Sequence, residues 1–328
     1  MDFATYFLRK FSFVRGLERS VRRLEQSVLD LRRDVGLQES ERKRLLAEMA
    51  EWTRFCPHGH FYSPLPSRAD IAGAYSRGGY GPPFPAIDLN AEGQFALLQE
   101  FARYYPDIPF PESPEPGRRF HLANPTYGRH DAAVLYCVMR HLRPRRIVEV
   151  GCGHSSAAIL DINDLVLGGA LEPTFIDPDL GQLRRLLLPN EASRLTLIER
   201  PVQDAPDGTF AQLEANDVLF IDSSHVSKFG SDVNHLFFKV LPALRPGVWV
   251  HVHDITADLE YPRHWIEEGR AWNELYLLRA FLMYNRTFRI MYSSALMYND
   301  HFGFLKERMP MCAAGGGGQI WLRKEAGG

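Results

Sequence analysis

The stretch Arg146-Ile-Val-Glu-Val-Gly-Cys-Gly-His-Ser-Ser156 decides how this chain is read. A short run rich in β-branched residues passes directly into two glycines one residue apart, the pattern of a buried strand that ends in a tight turn. Glycines at that spacing let the backbone bend sharply and approach a ligand closely. Glu149 stands just ahead of the bend. A buried anion there would repel a pyrophosphate, whereas a ligand with a cationic centre and ribose hydroxyls tolerates or needs it. Gly151, Cys152 and Gly153 are therefore read as a cradle for such a ligand, with Glu149 facing its cationic part.

Outward from this stretch, strands and helices alternate, which predicts a parallel α/β sheet. A helix over Asp131–Leu142 precedes the first strand, Arg146–Val150. Further strands are expected at Thr174–Ile176, Arg194–Glu199, Asp217–Ile221 and Val248–His253, with Phe288–Leu296 and Gln319–Arg323 as an antiparallel closing hairpin. Ligands of open α/β sheets bind beyond the carboxyl ends of the strands. The residues at those ends are accordingly cofactor candidates: Ser155 and Ser156 at the start of the next helix, Asp177 for ribose hydroxyls, and Gln203 and Asp204 for a base edge. Gly151-x-Gly-x-x-Ser156 also matches a dinucleotide turn, but Glu149 and the serine at the third glycine position count against it.

A second constellation is Phe220-Ile-Asp-Ser-Ser-His225 with His251-Val-His-Asp254. Two carboxylates from adjacent strands, Asp222 and Asp254, can hold a divalent cation, with His253 as a third ligand or turned to the opposite face of the sheet. His225 is placed to take a hydroxyl proton as general base. Cys152 is read as a small turn residue rather than a nucleophile.

The remainder is organised differently. Val14, Leu17, Val21, Leu24, Val28, Leu31 and Val35 form a heptad seam, valine at a and leucine at d, the combination that favours a parallel two-stranded coil. Gly36 is expected to weaken that helix. Residues 53–125 are rich in proline, glycine and aromatics and read as a cover over the site, with a helix near Gly93–Tyr105. The expected division is thus 1–52 helical, 53–125 cover and 126–328 ligand-binding domain. His60 and Tyr62 in the cover, with Asn273 and Glu274 at the start of a helix over Gly269–Leu282, are candidate acceptor contacts.

Composition narrows the class. The 328 residues are 45% hydrophobic and 24% charged with net charge −2, so no basic excess points to nucleic acid. The four cysteines are scattered, no signal-peptide pattern opens the chain, and no apolar run reaches bilayer length. The expectation is a cytoplasmic protein with reduced thiols.

Glu149-Val-Gly-Cys-Gly153, Ile221-Asp-Ser-Ser-His225, His253-Asp-Ile255, Lys228-Phe-Gly-Ser-Asp-Val-Asn-His235 and Gly59-His-Phe-Tyr-Ser-Pro64 resemble a bacterial family of class I S-adenosylmethionine-dependent methyltransferases that tailor glycans or natural products. The likeness covers about residues 57–325 and implies a Rossmann-like sheet. More distantly, Asp222, His225 and Asp254 resemble the macrocin and mycinamicin sugar O-methyltransferases, in which an acid, a histidine three positions later and an acidic pair bind magnesium and deprotonate a sugar hydroxyl. His253 replaces the first acid of that pair, which leaves magnesium, manganese, iron or zinc open. The resemblance implies transfer of a methyl group from S-adenosylmethionine to a hydroxyl of a small-molecule or glycan acceptor. The alternatives are a non-catalytic coiled-coil scaffold, a metal-dependent oxygenase built on His225, His253 and Asp254, and an NAD-dependent dehydrogenase.

Overall fold

The computed structural model describes residues 3–52, 55–77, 81–256 and 259–326; side chains before Arg19, and those of Ser20 and Trp52, lie outside that set. The chain divides into two compact units, residues 1–68 and 69–328.

The first unit is built on one helix, Phe3–Trp52. Gly36 does not interrupt it: no atom stands within 4 Å of where its Cβ would be, so the glycine is carried on an open helical surface. The described seam residues Val21, Leu24, Val28, Leu31 and Val35 are all exposed. Val14, Leu17 and the aromatic residues before them have side chains outside the described residues. Short turns follow the helix, with Gly59 N–H donating to the Leu65 carbonyl. Phe55, Phe61 and Tyr62 are exposed there, and the ring of His60 packs on Phe61 and Tyr62.

The second unit is a seven-stranded sheet of β1 (Arg146–Val150), β2 (Glu172–Asp177), β3 (Thr196–Glu199), β4 (Val218–Ile221), β5 (Trp249–His253), β6 (Phe288–Ser293) and β7 (Gln319–Lys324). The spatial order is β3-β2-β1-β4-β5-β7-β6. β1 to β5 pair in parallel, and β7 runs antiparallel between β5 and β6. This is the parallel α/β sheet read from the strand pattern, in the Rossmann-like form that the resemblance implies. The expected last segments differ in one detail: β6 stops at Ser293 rather than Leu296, and the Ser293 side chain caps a helix over Ser294–Asp300, so helices join β6 to β7.

Alternation along the strands sorts side chains to two apolar layers. Ile147, Phe175, Phe220 and Trp249 face one core, with the helices Ala91–Tyr104, Arg129–Leu142 and His154–Ile162. Val148, Val150, Ile176, Ile221 and Val252 face the other, with Leu236, Leu241, Leu275 and Leu278. By the same parity Glu149, His251 and His253 belong to the first face. The proline-rich stretch supplies core as well: Phe101 and Phe120 are fully buried, and Phe110 packs on Phe120 at 4.7 Å between ring centres. Among the described residues no helix is long and apolar enough to cross a membrane.

Candidate active site

The order of strands reverses between β1 and β4, so their carboxyl ends flank a crevice. Gly151 stands at that point with φ +86°, and a Cβ there would lie 1.7 Å from the Asp222 carbonyl oxygen. Only glycine fits, because the two turns touch through their backbones. Asp222 N–H donates to the Val150 carbonyl at 2.9 Å, extending the ladder to the lip of the crevice. Cys152 N–H donates to Asp177 Oδ2 at 2.9 Å and Gly153 N–H to Ser156 Oγ at 3.1 Å, which locks the turn.

Two connected cavities open over it. One of about 200 Å³ is lined by Gly151, Cys152, Gly153, Ser155, Asp177 and Asp222 together with Thr126, Tyr127, His154 and Gln182. The other, about 440 Å³, shares Gly151, Asp177 and Asp222 and continues past Pro201, Gln203, Ser224 and Lys228. Gln203 donates to the Gly230 carbonyl at 2.7 Å, while its Oε1 is buried without a partner. Of the residues expected here, Asp204 is exposed and outside both cavities. Ser156 is turned inward to hold the glycine turn.

Glu149 is fully buried beneath the turn rather than in the cavity wall. Ser155 Oγ donates to its Oε1 at 2.5 Å, and Oε2 has no partner. Burial, reinforced by the charges of Asp222 and Asp177, pushes this carboxyl up to about 8. Without ligand it is therefore protonated at neutral pH, and a cation nearby would favour its ionised form. A buried oxygen without a partner, a turn closed to any Cβ and an elongated polar cleft together fit an adenosyl cofactor with a cationic amino-acid end. The Cys152 thiol is buried against the Ile176 carbonyl and pushed far up by burial, which suits a structural turn residue.

Beside the cleft, Asp222, His225 and Asp254 each offer a ligand atom within 4.8 Å of the others. His225 and Asp254 both hold left-handed backbone, φ +59° and +56°, a conformation costing about 1–2 kcal/mol in a residue that is not glycine. His225 Nε2 lies 3.5 Å from Asp222 Oδ1 and 3.3 Å from Asp254 Oδ2. Its Nδ1 lies 2.8 Å from Glu274 Oε2, and the Asn273 and Glu274 amides donate to the His225 carbonyl. Burial lowers the affinity of this imidazole for a proton, but Asp222 and Glu274 outweigh it and raise it to about 10. Asp222 is pulled the other way: burial raises it, and His253 and His225 bring it below the usual carboxylate range.

Glu274 and Asn273 thus stand behind the cluster. Glu274 is fully buried, accepting also from Ser223 Oγ, and Asn273 clamps Ser227 through Oδ1 at 2.5 Å. Trp272 lies over His225 at 4.4 Å between ring centres. His253 is buried beside Tyr127 and 3.9 Å from Asp254 Oδ1, outside the three-residue group. His60 and Tyr62 belong to the first unit. The three-residue set fits a divalent cation: two carboxylates and an imidazole whose other nitrogen is held by a buried carboxylate. A mixed nitrogen and oxygen set suits manganese, iron or zinc better than magnesium.

Residues 148–255 match the family model described as a methyltransferase domain. A 166-residue stretch is 32% identical to an uncharacterized protein of Archaeoglobus fulgidus, covering 49% of this chain and 74% of that protein. Residues 148–255 therefore form a methyltransferase domain. This methyltransferase is also similar to solved structures at low identity. The Podospora anserina methyltransferase PaMTH1, solved with S-adenosylhomocysteine, is 14% identical over 80% of this chain and 99% of its own, with TM-score 0.40. The Streptomyces achromogenes O-methyltransferase TomG, involved in tomaymycin synthesis and solved with S-adenosylmethionine, is 16% identical over 70% and 90%, with TM-score 0.37.

Proposed function

We propose that this methyltransferase acts on a hydroxyl of a sugar, glycan or glycosylated natural product, with Asp222, His225 and Asp254 as its reacting centre. The observation carrying this reading is that Asp222, His225 and Asp254 converge beside the cleft, backed by Glu274. A nitrogen acceptor needs only a free lone pair, whereas a hydroxyl must lose a proton as it is methylated, and such a cluster serves that need.

Gly151, Cys152, Gly153, Ser155, Asp177 and Gln203 would hold S-adenosylmethionine, which when bound supplies an electrophilic methyl group on a sulfonium. Glu149 answers the positive end from beneath the turn. Glu274 fixes the His225 ring so that Nε2 faces Asp222 and Asp254. In the metal-free protein Nε2 keeps its proton at neutral pH, so His225 becomes a base only as the pH nears 10. A divalent cation held by Asp222, His225 and Asp254 would instead polarise the hydroxyl and lower its pKa, so that its proton passes to solvent water as the oxygen takes the methyl group. We favour that metal-assisted form. The protein is further proposed to work in the cytoplasm as a dimer paired through residues 14–35.

The test is calorimetry with S-adenosylmethionine and S-adenosylhomocysteine, with Mn²⁺ present and absent, then S-adenosylhomocysteine release against a panel of glycosides. A protein that binds neither compound loses this reading.

A further inference from the structure

Arg119 lines neither cofactor cavity, yet every nitrogen of its guanidinium is bonded to a carboxylate. Nη1 donates to Asp161 Oδ1 at 2.7 Å, Nη2 to Asp164 Oδ2 at 2.7 Å and Nε to Glu191 Oε2 at 2.9 Å, and Nη2 also reaches Glu191 Oε1. The Arg119 side chain is 5% exposed, that of Asp161 1% and that of Glu191 13%. Three carboxylates around one cation leave a surplus of negative charge. Without the guanidinium they would repel one another in a site that water barely reaches. The planar fork also sets their spacing, which the single ammonium of a lysine cannot do.

The three acids tie together segments that build one end of the cofactor cleft. Asp161 sits in the helix His154–Ile162 and Asp164 just beyond it, and that helix opens with His154 and Ser155 in the smaller cavity. Glu191, which also accepts from Leu188 N–H, holds the loop after the helix Gly181–Leu186, whose Gln182 lines the same cavity. Arg119 itself begins the third segment. The Arg119 and Phe120 amides donate to Asp161 Oδ2 at 3.1 and 2.9 Å, and the chain then returns to the start of the helix. There Asn124 Oδ1 accepts from the Thr126 and Tyr127 amides, and Thr126 Oγ1 lies 2.8 Å from His154 Nδ1. Residues 119–127 are thus strapped to one helix at Asp161 and at His154, about 10 Å apart along its axis. Thr126, Tyr127, His154, Ser155 and Gln182 all line the smaller cavity at the glycine turn, and none lines the cavity that reaches Gln203.

We infer that Arg119 is a positioning residue for the amino-acid end of the cofactor. By spacing Asp161, Asp164 and Glu191 it fixes the three segments that wall the smaller cavity, while the adenosine end rests on other residues. This assignment rests on the cofactor placement of the methyl-transfer reading and adds to it a residue that touches no ligand.

The experiment compares the full chain with Arg119→Lys, which keeps the charge and loses the fork. Calorimetry uses two probes, S-adenosylhomocysteine and methylthioadenosine, which lacks the amino-acid end. The variant should bind S-adenosylhomocysteine about tenfold more weakly and methylthioadenosine within twofold of the unaltered protein. Glu191→Gln, which keeps the shape and frees only the segment after Leu186, should show the same selectivity at smaller size, and it decides the matter if Arg119→Lys does not fold. Arg140→Lys is the stability control, because Arg140 likewise bridges Asp107 and Tyr136 but lines neither cavity. It should lower the melting temperature and leave both affinities unchanged. Unchanged S-adenosylhomocysteine affinity in the Arg119 variant, or a loss for methylthioadenosine as large, overturns the inference, since an ion cluster that only stabilises the fold would give those results. The same selective loss in Arg140→Lys overturns it too. Failure of the unaltered protein to bind S-adenosylhomocysteine would instead sink the methyl-transfer reading.

Discussion

Glu274 Oε2 lies 2.8 Å from His225 Nδ1, and the same residue's amide donates to the His225 carbonyl. One residue at the start of the helix Glu274–Leu282 therefore fixes both the ring and the backbone of the histidine in the reacting cluster. Glu274→Gln preserves the shape but can present an N–H where a carboxylate accepted one. We expect kcat to fall about 10- to 100-fold with S-adenosylhomocysteine affinity within twofold, read by steady-state kinetics beside calorimetry.

Removal of metal separates two forms of the mechanism. Activity of chelator-treated protein should vanish near neutral pH and return with Mn²⁺, and Asp254→Asn should abolish the return. If treated protein is instead active and its rate climbs as pH approaches 10, His225 acts as a base without a cation.

Glu149 gives a prediction with a definite sign. Its carboxyl titrates near 8 in the fold and near the ordinary 4.5 when unfolded, so the folded form holds a proton that the unfolded form has lost between those values. Stability from this group is complete below about 4.5 and declines as pH rises toward 8. Glu149→Gln should flatten that decline in thermal melts across pH 5 to 8. Binding of S-adenosylmethionine below pH 8 should release a proton, visible as a heat that depends on the buffer's ionisation enthalpy, and Glu149→Gln should remove it.

The exposed seam makes a prediction about size in solution. Leu24→Asp with Leu31→Asp should convert a dimer to a monomer by light scattering, while S-adenosylhomocysteine affinity stays unchanged.

Much of the sheet was legible because buried parallel strands carry a strong local signal. β1 was read to the residue, Arg146–Val150, and β5 within one, since each is a short apolar run ended by a turn or an acid. The amino-terminal helix was legible too: the expected helical segment 1–52 ran across Gly36, and the helix Phe3–Trp52 does the same, with that glycine on an open surface. Thr126, Tyr127, His154 and Gln182 line the cofactor cleft without a sequence signal, because they reach it from separate segments. The burial of Glu274 was equally hidden; adjacency to a helix start gives no hint that the side chain points inward to His225.

The placement of the cysteines has a practical corollary. Cys137, Cys152 and Cys312 are buried, and Cys56 alone is partly accessible. Under native conditions a maleimide or iodoacetamide dye should couple at Cys56, giving a site-selective fluorescent label on the amino-terminal unit that leaves the glycine turn untouched and needs no engineered thiol.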